Sequence, residues 1–283
     1  TAFAFLAECV HEYLDDHSMT AKQLYGVALS VSGIVDDTSG LLRYDSQNPE
    51  WGNDVSLTAH LQNVFKEPLV FLADNAGKAC GRAVLLDEEE LSRCRLLTLF
   101  TTWGVCACMM ERGHVLNGRD ALIGEIGHMQ IAGCPEKLCG CGKRHCLESA
   151  VRLDHLHQLL MAEKASLLEQ EPLTFQSLFN HSRQGDPAAR KIVEYLARCY
   201  ASALHNLSLC YNQEAVVFQG DMAWADPYFD QCLKRELDEF RYYPEGEWLT
   251  TRYDRRELST LAARGDAALL RKKYFAAMSY EDD

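Results

Sequence analysis

His128, Cys139, Cys141 and Cys146 follow the spacing H-x10-C-x-C-x4-C inside one short stretch, GEIGHMQIAGCPEKLCGCGKRHCLESA, residues 124–150. One imidazole and three thiolates form a tetrahedral donor set suited to Zn2+, and four protein ligands leave no open position for a reactive water. The expected ion is therefore structural. Gly140 and Gly142, between the ligands, allow the backbone to turn tightly around it. Cys134 and His145 are the rival donors, the first too early for the knuckle and the second expected to point outward beside Cys146.

Zinc does not account for Glu125 and Glu148. One stands three residues before His128 and the other two after Cys146, so an ion would draw both acids into one neighbourhood. Two adjacent carboxylates can accept hydrogen bonds from several hydroxyls, as recognition of a polyol requires. The expectation is a sugar site braced by the metal.

The rest of the chain must position these residues. At 283 residues, two α/β lobes are expected. YGVALSVSGIV (25–35) reads as a buried strand running into a turn, and PLVFLAD (68–74) as a second strand followed by the helix NAGKACGRAVLL. LLTLFTTWGVCACMME (96–111) reads as two strands around Gly104. Long amphipathic stretches run from Ala150 to about Ala165 and from Pro187 to about Tyr211, then come the strand AVVFQGD (215–221), a helix, and a last strand-to-helix unit. The expected boundaries are 1–88 plus 262–283 for a smaller lobe and 89–261 for a larger one. DEEE (87–90) reads as a solvated helix start.

Composition excludes several classes. No apolar run is long enough to span a bilayer, and a soluble, cytoplasmic protein is expected. A formal charge of −13 argues against a chain that grips a nucleic-acid backbone unaided. Twelve cysteines are scattered through the chain, and Cys9, Cys80, Cys94, Cys199, Cys210 and Cys232 are expected to be reduced core fillers. The chain opens at Thr1 directly in the helix-like AFAFLAECVHEYL, which suggests further residues upstream.

GEIGH (124–128) followed by CGCGKRHCLES (139–149) resembles the signature of the ROK family, which contains bacterial sugar kinases and sugar-responsive transcriptional repressors. SGIVD (32–36), NPEWGNDVSL (48–57), ADNAGKACGRA (73–83), AVVFQGD and LSTLAARGDAAL resemble further family segments, so the likeness spans nearly the whole chain. It implies an actin-like, ribonuclease H-like fold of two α/β lobes with the sugar in the cleft. It also implies that Asn48, Asp74, Glu125, His128 and Glu148 line the sugar site, with His128 offering its second ring nitrogen to zinc. Asp74 stands where the kinases keep their general base; it could also cap the helix that follows.

Departures from the family pattern choose between its branches. Where the kinases carry a glycine-rich phosphate loop, this chain has Thr102-Trp103-Gly104-Val105-Cys106-Ala107-Cys108. Side chains there obstruct the approach of backbone amides to phosphates. Asp221, after the later strand, would add negative charge near a nucleotide, and Ala73 removes a family asparagine that would contact the sugar. The first reading is the effector-sensing and oligomerising part of a ROK-type regulator, a homodimer or homotetramer that answers to a sugar or sugar phosphate. It would touch DNA only through a helix-turn-helix upstream of Thr1. The alternatives are an ATP-dependent hexose kinase and a protein-docking scaffold with a vestigial sugar site.

Incubation of the protein with ATP and common hexoses is therefore expected to release no ADP above background. Turnover that disappears in Asp74→Asn would establish the kinase instead.

Overall fold

Apolar β-branched runs alternating with amphipathic stretches fold as strands and helices, and the computed structural model describes residues 2–131, 136–240 and 249–278. The chain begins with α1 (Ala2–Asp16), β1 (Gly26–Val31), β2 (Ile34–Asp36), β3 (Leu41–Tyr44) and β4 (Val55–Ser56). Next come α2 (Leu57–Val64), β5 (Val70–Asn75), α3 (Ala76–Asp87), β6 (Arg95–Thr101), β7 (Val105–Glu111) and β8 (His114–Val115). Helices α4 (Leu147–Val151), α5 (Leu153–Ala162), α6 (Leu167–Gln170), α7 (Phe175–Gln184) and α8 (Pro187–Cys210) follow the candidate metal stretch. The remainder is β9 (Ala215–Gly220), α9 (Pro227–Phe240), β10 (Thr250–Asp254) and α10 (Leu258–Met278).

Two compact units result. The first comprises Thr1–Leu86, Asn117–Leu122 and Ser259–Asp283, and the second Asp87–Leu116 and Ile123–Leu258. Residues 117–122, placed with the larger lobe by the sequence reading, thus belong to the first unit. Their tie is local: Asn117 accepts from Lys78 Nζ at 3.1 Å and donates to Asp37 at 2.8 Å.

In the first unit β1 and β5 pair in parallel, and β2, β3 and β4 form a small antiparallel sheet. The strand expected to run into a turn does so: β1 ends at Val31, Ser32-Gly33 turns, and β2 follows. Every residue of β1 is half-buried, not buried as the apolar run suggested. In the second unit the sheet order is β10-β9-β6-β7-β8. The expected hairpin around Gly104 is present, β6 and β7 pairing antiparallel with Thr98 opposite Cys108, while β9 runs parallel to β6 with Phe218 beside Leu99.

Helix α8 starts where its sequence dictates: Pro187 occupies the first turn and the Asp186 carboxylate accepts from the Ala189 amide at 2.8 Å. It packs against the sheet through Tyr200, which meets Phe218 and Phe229 edge-on at 5.7 and 6.3 Å. The Tyr200 hydroxyl bonds to Thr101 at 3.0 Å, so this buried phenol keeps a partner. The amphipathic stretch from Ala150 does not form one helix. It breaks at Arg152, whose extended ψ of 141° separates α4 from α5.

DEEE closes α3 at Asp87 and, at Glu90, leads into the 3-10 turn Leu91–Arg93, so it stands at a helix start as well as at a helix end. Asp87 pairs with Arg256, while Glu88 and Glu90 hold Arg252. Of the six cysteines expected in the core, Cys80, Cys199 and Cys232 are buried, Cys94 is half-buried, and Cys9 and Cys210 are exposed on helices. Cysteine's apolar neighbours in sequence do not fix which face of a helix it occupies. Among the described residues, no helix is long and apolar enough to cross a membrane.

Phe229→Ala removes a fully buried ring from the Tyr200–Phe218 cluster. A loss of about 3–5 kcal/mol is expected, read as a lower urea midpoint.

Candidate functional site

The four sequence-nominated ligands converge. One donor atom from each of His128, Cys139, Cys141 and Cys146 lies within 4.8 Å of every other. Cys139 Sγ stands 3.6 Å from His128 Nδ1, and Cys141 Sγ stands 3.7 Å from Cys146 Sγ. Tetrahedral Zn2+ with ordinary bond lengths requires S···N near about 3.6 Å and S···S near about 3.8 Å. Those two separations match, and the four donors lie close enough together to hold a metal ion.

Local backbone structure makes this convergence. The Cys139 amide donates to the Lys143 carbonyl at 2.8 Å and the Gly142 amide to the Cys139 carbonyl at 2.9 Å, closing a knuckle over three of the ligands. Gly142 has φ +79°, where a side chain is strained; Gly140 does not share that conformation, so only one of the two predicted glycines serves the turn this way. The Leu147 amide donates to the Met129 carbonyl at 2.9 Å, bringing the His128 segment beside Cys146. His145 is outside the ligand group, and Cys134 lies outside the described residues. Burial pushes the Cys139 and Cys146 thiols up, so thiolates here need a cation beside them.

Glu148, on the first turn of α4, is 5% exposed. Its Oε2 accepts from the Val105 amide at 3.2 Å and its Oε1 from Cys139 Sγ at 3.5 Å. Glu125 is half-buried and precedes the 3-10 turn Ile126–His128. Glycine is required on both sides of it. A Cβ on Gly124 would lie 2.1 Å from the Ala107 carbonyl oxygen, and one on Gly127 2.2 Å from that of Val105. GEIGH thus lies directly on β7. Because Nδ1 of His128 faces the thiols, Nε2 is left for another partner.

The other two nominated residues lie in the first unit. Asn48 precedes the Pro49–Trp51 turn, and its amide donates to Asp45 at 2.7 Å and to Ser32 at 3.3 Å. Asp45, 2% exposed, was missed by sequence reading. Burial alone would raise its carboxyl, but hydrogen bonds from Ser32, Asn48 and the Gln47 amide outweigh that and hold it below the usual range. Asp74 is 0% exposed. Its Oδ1 accepts from the Asn75 amide at 2.7 Å and its Oδ2 pairs with Arg82. It does not cap α3. Asn75 does, accepting from the Lys78 amide at 3.1 Å, because the strand carries Asp74 one residue too early. Burial pushes the Asp74 carboxyl up despite Arg82.

These elements, spread from α1 to α10, are matched end to end by a single family description: a model of the ROK family fits residues 2–273. The chain belongs to the ROK family. A transcriptional dual regulator of Escherichia coli K12, NagC, is 24% identical over 247 residues, covering 83% of this chain and 59% of the regulator. A Halalkalibacterium halodurans glucokinase is 26% identical over 250 residues, covering 84% of this chain and 73% of the kinase. The chain thus spans about 59% of the length of the regulator it matches.

Solved ROK structures share the α/β fold. A ROK family regulator, a homologue of the Escherichia coli MLC protein, superposes with a TM-score of 0.73 at 20% identity, over 95% of this chain and 69% of that one. A Streptomyces griseus ROK glucokinase, solved with glucose and AMPPNP, gives 0.75 at 17% identity over 94% and 87%. In this ROK chain two amides of the β6–β7 hairpin are engaged: Thr102 N donates to the Gly104 carbonyl at 2.9 Å and Val105 N to Glu148.

Beside Asp74, Asp266 of α10 accepts through Oδ2 from the Ser30 hydroxyl at 2.5 Å, and its Oδ1 is buried without a hydrogen-bond partner. Burial first, then the Asp74 charge, raise its carboxyl from 3.8 to about 6. The folded state therefore holds this proton more tightly than the unfolded chain. That stabilisation is complete below the unfolded value of 3.8 and is lost as pH rises through about 6. The loss is on the order of 3 kcal/mol. Denaturant titrations across this window should show the parent losing more stability with rising pH than Asp266→Asn; equal slopes would assign Asp266 an ordinary carboxyl.

Proposed function

We propose that this chain is the sugar-sensing and oligomerising region of a ROK transcriptional regulator without kinase activity. The observation that carries the reading is the commitment of Asp74: a buried carboxylate paired with Arg82 is poorly placed to take a proton from a sugar hydroxyl. The engaged amides of Thr102 and Val105 support it, because a phosphate would have to displace the Gly104 carbonyl and the Glu148 carboxylate. DNA contact is assigned to a helix-turn-helix outside the residues given, since a chain of net charge −13 does not supply a basic surface. The working form is a homo-oligomer, dimer or tetramer.

Zn2+ is the proposed resident ion, held by His128, Cys139, Cys141 and Cys146, and its role is to fix loop geometry. Asn48, Asp74, Glu125, His128 and Glu148 are the proposed sugar ligands. The effector is a hexose, an N-acetylhexosamine or one of their phosphates, the classes suggested by relatives named glucokinase and N-acetylglucosamine repressor. Ala73, buried in β5, offers no side-chain hydrogen bond, so preference is expected to differ from theirs.

Metal analysis should find one zinc per chain, lost in Cys141→Ser. A thermal-shift series with glucose, N-acetylglucosamine and their phosphates should then identify a stabilising ligand. Calorimetry with that ligand should show Glu125→Gln binding about tenfold more weakly or worse, at unchanged zinc content. Full affinity in that variant would remove the acid from the sugar site; hexose turnover with ATP would restore the kinase reading.

A further inference from the structure

Trp103 sits at the tip of the β6–β7 hairpin with 81% of its surface exposed. Indole is a large apolar group with a π face, and a turn leaving it in water forgoes the burial that usually holds such a ring. The ring lines a pocket of about 750 Å³ built wholly from the second unit, between the hairpin, the α4–α5 break and the segment leading into α7. That volume suits a small molecule.

The lining carries Arg152 and two acids, Asp154 and Asp221. Asp154 is matched twice, by Lys137 Nζ at 2.7 Å and Arg152 Nε at 3.3 Å, so both cations are engaged there. Asp221 has no ion pair among the described residues, and burial pushes its carboxyl up. A partly desolvated carboxylate without a counter-charge attracts a cation, and an exposed indole face does the same through its quadrupole. Both repel a polyphosphate.

We infer that this pocket binds a small organic cation, with its charged head at the Asp221 carboxylate and the Trp103 ring and its apolar part against Leu173 and Phe175. The hairpin that lost the glycines suited to phosphate thereby serves a ligand of opposite charge. This binding is independent of the sugar reading, since it uses none of the sugar-site acids.

Choline is the probe, beside its uncharged carbon isostere and ATP, with binding to the full chain followed by ligand-observed NMR and tryptophan fluorescence. Choline is expected to bind, and its isostere to bind about tenfold more weakly, the scale of one desolvated cation–π contact. Asp221→Asn and Trp103→Ala should each weaken choline about fivefold or more while circular dichroism and the thermal midpoint stay at parent values. Glu125→Gln should leave choline unaffected, so failure of the sugar site and failure of this pocket read out separately. The inference is overturned if choline does not bind, if the isostere binds equally, if both variants retain choline, or if ATP takes the Trp103 site.

Discussion

The hydrogen bond from the Val105 amide to the Glu148 carboxylate joins two parts of the second unit that stand 43 residues apart in the chain. Val105 opens β7 at the hairpin; Glu148 is on the first turn of α4; and the other carboxylate oxygen meets Cys139 of the nearby His/Cys cluster. At 5% exposure the carboxylate is costly to leave unpaired, so hairpin, helix and thiol cluster are held to one another through it. One acid thus ties the hairpin to the thiol cluster.

The first unit shows the same economy of buried charge. Asp74, Arg82, Asp266 and Ser30 bring two carboxyls and one guanidinium together on β5, α3, α10 and β1. A single cation does not fully compensate two buried acids, and burial pushes both carboxyls up, that of Asp266 to about 6. The arrangement ties Asp74 inward. In this position an acid serves the architecture of its unit before it serves any ligand.

Much of this was legible in the residues. The spacing of His128, Cys139, Cys141 and Cys146 named four donors that the structure brings within 4.8 Å, because tetrahedral coordination imposes a strong and recognisable pattern on short loops. The hairpin at Gly104 and the start of α8 at Pro187 were equally plain, since turn and cap chemistry is local. Less legible was anything depending on a partner distant in sequence. Asp45 went unnoticed because its value lies in Ser32 and Asn48 folding over it, and the break at Arg152 has no proline or glycine to announce it.

By itself, then, the sequence determined the family, the alternation of strands and helices and the four clustered His/Cys donors, because each is written in residue type and short-range spacing. Only tertiary structure decided what the acids do. Whether Asp74 faces a ligand or an arginine, whether Asn75 or Asp74 caps α3, and whether Asp221 finds a counter-charge depend on groups from other elements. Charge interactions inside a protein are set by distance and burial, and neither quantity exists until the chain has folded.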